Sequence, residues 1–136
     1  MTVAETDTIL IDWNVLAAAR VELGASFVRI LGYFREDGAK SVSQIETAMR
    51  AGNAAALVLP AHTLKGESAQ FGAETLAMLA ESIEIIARDC VERRDAPQQA
   101  LEHVVKLRAV FQETLEQLER ETNPLVERRP AFGRRA

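Results

Sequence analysis

The chain has 136 residues, 48% of them hydrophobic and 26% charged, with a formal net charge of −4. That length fits one domain with a modest core, and the acidic balance argues against nucleic-acid binding as the main function. The single cysteine, Cys90, excludes an internal disulfide and suits a reducing cytoplasm, where it is expected to pack as a small apolar residue.

Ala, Leu, Glu and Arg dominate, aromatics are scarce, and no long run alternates apolar with polar residues. The expected class is therefore all-α. No basic segment leads into an apolar stretch at the N-terminus, so no signal peptide is expected. No apolar run approaches the roughly 20 residues that span a bilayer. A cytoplasmic protein with no membrane contact follows as the expectation. His62 and His103 have no spaced Cys or His partners, so no metal site is expected.

Residues 1–11 read as a lead-in. Asp12 can cap a first helix to about Leu23, with Val15, Leu16, Ala19 and Leu23 on one side and Gly24 closing it. Between about 25 and 51, Phe27, Ile30, Leu31, Phe34, Val42, Ile45 and Met49 recur at helical spacing, with Phe27 and Phe34 as core. Gly32 and Gly38 weaken this stretch and predict a bend near 36–40.

Gly52-Asn53 reads as a stop followed by a cap, and a third helix runs from about Ala54 to Gln70. Pro60 lies inside it and removes the hydrogen bond to Ala56, which predicts a kink rather than a restart because Leu59 would cap poorly. Phe71-Gly72 makes the next turn. A fourth helix, about 73–91, carries Leu76, Leu79, Ala80, Ile83, Ile86, Ala87 and Cys90 on one face.

Asp95-Ala96-Pro97 is expected to start a fifth helix to about Glu121, with Leu101, Val104, Leu107, Val110, Phe111, Leu115 and Leu118 facing inward. His103 borders that stripe and is assigned no chemistry. From 122 to 136 periodicity ends, and four arginines against one glutamate make a basic tail that is expected to be disordered. The predicted domain is thus 12–121, an antiparallel four-helix bundle of helices two to five with an additional N-terminal helix packed across it.

The third helix holds the chemistry-bearing pattern, Ala61-His62-Thr63-Leu64-Lys65-Gly66. Positions i, i+3 and i+4 share one helix face, so the His62 imidazole lies beside a cation and beside a position without a side chain. Glycine there costs roughly 1 kcal/mol relative to alanine, so something should compensate. Phosphoryl transfer fits. A neutral imidazole offers one lone pair for attack and one N–H to donate. Lys65 can offset the charge of the transferring group, and Gly66 leaves room for a partner to approach. Taken alone, the pair also reads as an ordinary surface histidine near a lysine.

The longer pattern decides between these. His-Thr-Leu-Lys-Gly followed by Ser68-Ala69, Gly72-Ala73, Leu76, Ala80 and Ile83-Glu84 resembles the histidine phosphotransfer (HPt) domain. The resemblance is strongest over 53–90, and Leu23-Gly24, Phe34, Ala48 and Gly52 extend it to about residue 15. It implies that His62 is the phosphoacceptor, with Lys65 for charge compensation and Gly66 for access.

If helices three and four form an antiparallel hairpin, Glu84 returns near the level of His62. One reading has its carboxylate accept the Nδ1–H and leave Nε2 as nucleophile; the other leaves it a solvated glutamate on the outer face. HPt domains commonly hold Gln or Glu there.

The expected partners are response-regulator receiver domains, a hybrid histidine kinase, or both. Helical spacing suggests docking through Ala55, Val58, Leu59, Thr63 and Ala69. The chain shows no Gly-rich nucleotide loop or Walker motif, so neither ATP binding nor autokinase activity is expected. No cofactor is expected, and Mg²⁺ would sit on the receiver. The chain would be a phosphocarrier rather than an enzyme, and a monomer. Alternatives are a non-catalytic HPt-shaped docking or inhibitory module for a kinase or response regulator, and a helical scaffold.

Overall fold

The structure is a computed structural model describing residues 9–122. The helices are α1 (Trp13–Leu23), α2 (Phe27–Arg50), α3 (Ala54–Gln70), α4 (Glu74–Arg93) and α5 (Leu101–Thr122), with short 3-10 turns at Gly24–Ser26 and Gln98–Ala100. α2 packs on α3, α3 on α4, α4 on α5, and α5 returns to α2, which closes a four-helix ring. α1 lies against α2 and α3. The all-α bundle with an added N-terminal helix is the architecture expected from the sequence. Among the described residues no helix is long and apolar enough to cross a membrane.

Three of the helix starts have a clear local cause. The Asp12 carboxylate accepts from the amides of Asn14 and Val15 at 3.0 and 3.3 Å, and Asn53 accepts from the Ala56 amide at 3.1 Å. Both are side-chain caps of the usual kind. α4 begins differently, because Ala73 has no capping side chain. Its first amides, Glu74 and Thr75, donate instead to the carbonyls of Leu10 and Ile9, each at 3.1 Å. The Thr75 hydroxyl also donates to the Ile9 carbonyl, at 2.7 Å. The end of the lead-in therefore serves as the cap of α4, and Ile11 is buried beside it. Gly72 makes this crossing possible. Its φ is +73°, and a Cβ there would come within 2.6 Å of the Asp12 carbonyl oxygen.

The core is continuous from end to end. The Phe71 ring lies 5.6 Å from Phe27 and 5.3 Å from Phe34, and Phe34 lies 5.8 Å from Phe111. Around them Ile45, Leu57, Leu64, Leu76, Ile83, Leu107 and Leu118 are fully buried. α2 and α5 are further tied by Arg35 to Glu119 and by Arg108 to Glu46, the latter at 2.7 Å.

Three expectations are corrected. α2 runs unbroken through 36–40. Gly38 serves packing there, since a Cβ would fall 2.5 Å from the Phe111 ring. α3 runs through Pro60 with no restart, the alternative that the sequence reading set aside. The carbonyl deprived by the proline belongs to Ala56, an exposed residue that water can reach. α5 starts later than Asp95, because Arg94 closes α4 in the left-handed region and Pro97 has ψ of 45°, outside the helical range. Leu101 and Val15 are exposed rather than inward, each lying in the first turn of its helix. Of the residues read as lead-in and tail, 1–8 and 123–136 lie outside the described residues.

Candidate functional site

α3 presents two faces. Leu57, Ala61, Leu64 and Ser68 are buried against the bundle, and this fixes the rotation of the helix. His62 consequently projects outward, with 55% of its side chain exposed. Gly66, one turn on, has an open flank. A Cβ built there meets nothing within 4 Å, so the space beside the imidazole is free.

Behind the ring stands Glu84. The turn at Phe71–Ala73 folds α4 back along α3, and Glu84 arrives at the level of His62 with only 7% of its side chain exposed. Its Oε2 lies 2.9 Å from His62 Nδ1. A carboxylate can only accept, so this contact calls for a proton on Nδ1 and leaves Nε2 as the ring nitrogen that can offer a lone pair. Of the two readings open from sequence, the solvated glutamate is excluded by burial.

Glu84 has two more partners. Lys65 Nζ lies 3.0 Å from Oε1, and Arg88 approaches Oε2 through Nη2 at 2.8 Å and Nε at 2.9 Å. Burial pushes the Glu84 carboxyl up, but Lys65, Arg88 and His62 more than reverse that and hold it down at about 2. The carboxylate is therefore ionised at neutral pH and does not take the Nδ1 proton. Lys65, expected beside the reacting nitrogen, rests on Glu84 in this state.

Arg88 escaped the sequence reading. The signal was present as Glu84 followed four residues later by Arg88, a spacing that pairs side chains on one helix. Its partner had to be recognised as buried before the pair could mean more than a surface bridge.

The residues expected to dock a partner are placed as follows. Ala55 and Leu59 line a hollow of about 620 Å³ between α2 and α3, with Thr47, Ala51 and Pro60. Ala55 and Val58 line a second hollow of about 400 Å³, with Arg88 and Val91 of α4. Leu59 is 70% exposed. Thr63 and Ala69 are exposed on α3 but line neither hollow. The ridge of α3 therefore carries small and apolar side chains up to the imidazole. His103 is not brought to the site. It sits on α5, across the ring of helices from α3, with Nε2 3.6 Å from Glu102. Cys90 is buried, its thiol 3.6 Å from the Ala96 carbonyl oxygen.

Comparisons with known proteins bear on the fold and the family. No curated protein sequence matches significantly. The crystal structure of histidine-containing phosphotransfer protein B (HptB) from Pseudomonas aeruginosa PAO1 is similar at 25% sequence identity and a TM-score of 0.57. That match covers 82% of this chain and 98% of the other. The model of the Hpt domain family matches residues 29–121, most of the chain and all of the ring of helices from early α2 onward. An outward histidine on the second helix of that ring completes the picture, and the chain belongs to the Hpt domain family.

Proposed function

We propose that this chain is a histidine phosphocarrier in a phosphorelay, with His62 accepting a phosphoryl group from a receiver-domain aspartate and passing it to another receiver. The observation that carries the reading is the exposed His62 ring held at Nδ1 by the buried, ionised Glu84. An interaction module that only docks has no use for such a carboxylate behind its histidine.

Attack by the Nε2 lone pair forms an N–P bond roughly in line with the breaking P–O bond, whose electron pair returns to the aspartate carboxylate. The Nδ1 proton stays in place, so the ring becomes cationic as the bond forms. Glu84 faces that developing charge, as a carboxylate behind a catalytic imidazole does elsewhere. The phosphoryl group adds negative charge on the solvent side, where Lys65 can turn to meet it and Gly66 leaves the approach open. Docking uses the α3 ridge, with Ala55, Val58 and Leu59 as its apolar part and Thr63 and Ala69 at its margins. Mg²⁺ belongs to the receiver's phosphorylation site, and the carrier itself needs no nucleotide.

The test is transfer from a phosphorylated receiver domain to the full chain, followed as acid-labile, alkali-stable phosphate. Receiver binding without any transfer would replace the carrier by a docking module.

A further inference from the structure

Glu84 holds three cationic or potentially cationic partners, and they divide unequally between its oxygens. Oε2 receives both the His62 ring and Arg88, whereas Oε1 faces Lys65. Lys65 is the partner with a second task, because a phosphoryl group on Nε2 would draw its ammonium outward. Leaving Oε1 uncovers a buried carboxylate, and an uncompensated buried charge is costly. Arg88 alters that balance. It bonds the same carboxylate through two nitrogens from its own helix, one turn on, and its side chain is 58% exposed.

The geometry points to Arg88 as a positioning residue that keeps Glu84 compensated on the imidazole and so releases Lys65 for the phosphoryl group. This rests on the phosphocarrier reading and adds a division of labour between the two cations. Arg88 touches neither the reacting nitrogen nor the phosphorus. Its effect passes through Glu84 to Lys65.

Arg88 also borders the hollow lined by Ala55, Val58 and Val91, so transfer from a receiver would mix positioning with docking. A small donor separates them. Phosphoramidate has no docking surface. Its P–N bond breaks as the bond to Nε2 forms, and ammonia leaves. Initial uptake from phosphoramidate would be compared for wild type, Arg88→Ala, Lys65→Ala, the double variant, Arg88→Lys and Arg93→Ala. Arg93 is the control, since it pairs on the same helix with Asp89 at 2.9 Å, away from Glu84.

The expected result is a loss of about tenfold in Arg88→Ala, the size typical of removing an outer partner of a functional group. Arg88→Lys restores most of the rate, and Arg93→Ala matches wild type. Lys65→Ala slows the wild-type background but adds little in the Arg88→Ala background, because Lys65 is already retained by Glu84 there. Such a strongly non-additive cycle is the signature of one residue acting through another. Additive losses, or an Arg88→Ala variant as fast as wild type, overturn the positioning role and leave the phosphocarrier reading intact. A wild type that takes phosphate from neither phosphoramidate nor any phosphorylated receiver overturns the phosphocarrier reading itself.

Discussion

Glu84 reaches His62 across the α3–α4 hairpin, its Oε2 2.9 Å from Nδ1 although 22 residues separate them in sequence. The pairing fixes which ring nitrogen carries the proton. It also makes a buried carboxylate depend on the cations around it, and the consequences can be measured.

The first concerns pH. The Glu84 carboxyl is held at about 2 against an ordinary value of 4.5, so it binds its proton more weakly in the folded chain than in the unfolded one. Its contribution to stability is fully present above about 4.5 and is lost as pH falls from there through about 2. Urea unfolding of wild type and Glu84→Gln should differ most at neutral pH, and the gap should shrink below about pH 4.5 and close only below about pH 2. A gap independent of pH would mean that the carboxylate is not ionised in the fold.

Gly66 separates stability from function. A Cβ there meets nothing within 4 Å, so Gly66→Ala should raise stability by up to about 1 kcal/mol through helix propensity. The added methyl nevertheless stands beside the imidazole on the approach side. Phosphotransfer from a receiver should fall while the melting temperature rises. A variant both more stable and equally fast would remove any access role from this glycine.

Gly38 makes the opposite prediction. Its missing Cβ is the space used by the Phe111 ring, which is itself packed on Phe34. Overpacking of this kind costs about 1–3 kcal/mol, from which the helix-propensity gain of roughly 1 kcal/mol is subtracted. Gly38→Ala should therefore lower stability in denaturant titration, and Gly32→Ala, with nothing within 4 Å, should raise it. Equal effects at the two glycines would contradict the packing described.

The docking ridge is tested at Leu59, which is 70% exposed and adds little to the core. Leu59→Asp should change stability by no more than about 0.5 kcal/mol. It should slow transfer from a receiver while leaving uptake from phosphoramidate unchanged. A fall with both donors would place Leu59 in the chemistry or the fold instead of the docking surface.

What the sequence disclosed and what it withheld divide along physical lines. His62, Lys65 and Gly66 lie within one turn of one helix, so their shared face was readable from spacing. The stripes of α2, α4 and most of α5 were readable for the same reason. Glu84 required the hairpin before its burial could be known, and spacing alone left it equally a solvated side chain. Arg88 had a helical pairing signal without a hint that its partner was buried. Gly38 suggested a bend because its reason, the Phe111 ring, comes from another helix. The capping of α4 by Ile9 and Leu10 was hidden because backbone carbonyls leave no mark in side-chain patterning. Pro60 was read as a kink from the bond it removes, while the exposure of Ala56 that makes the loss tolerable belongs to the fold.

The measurement that bears most directly on the central claim is phosphate uptake from phosphorylated receiver domains by wild type, His62→Gln and His103→Gln. Acid-labile, alkali-stable label should appear on wild type and on His103→Gln, and disappear in His62→Gln while receiver binding persists. Label surviving in His62→Gln would place the phosphoryl group on another residue and contradict the account.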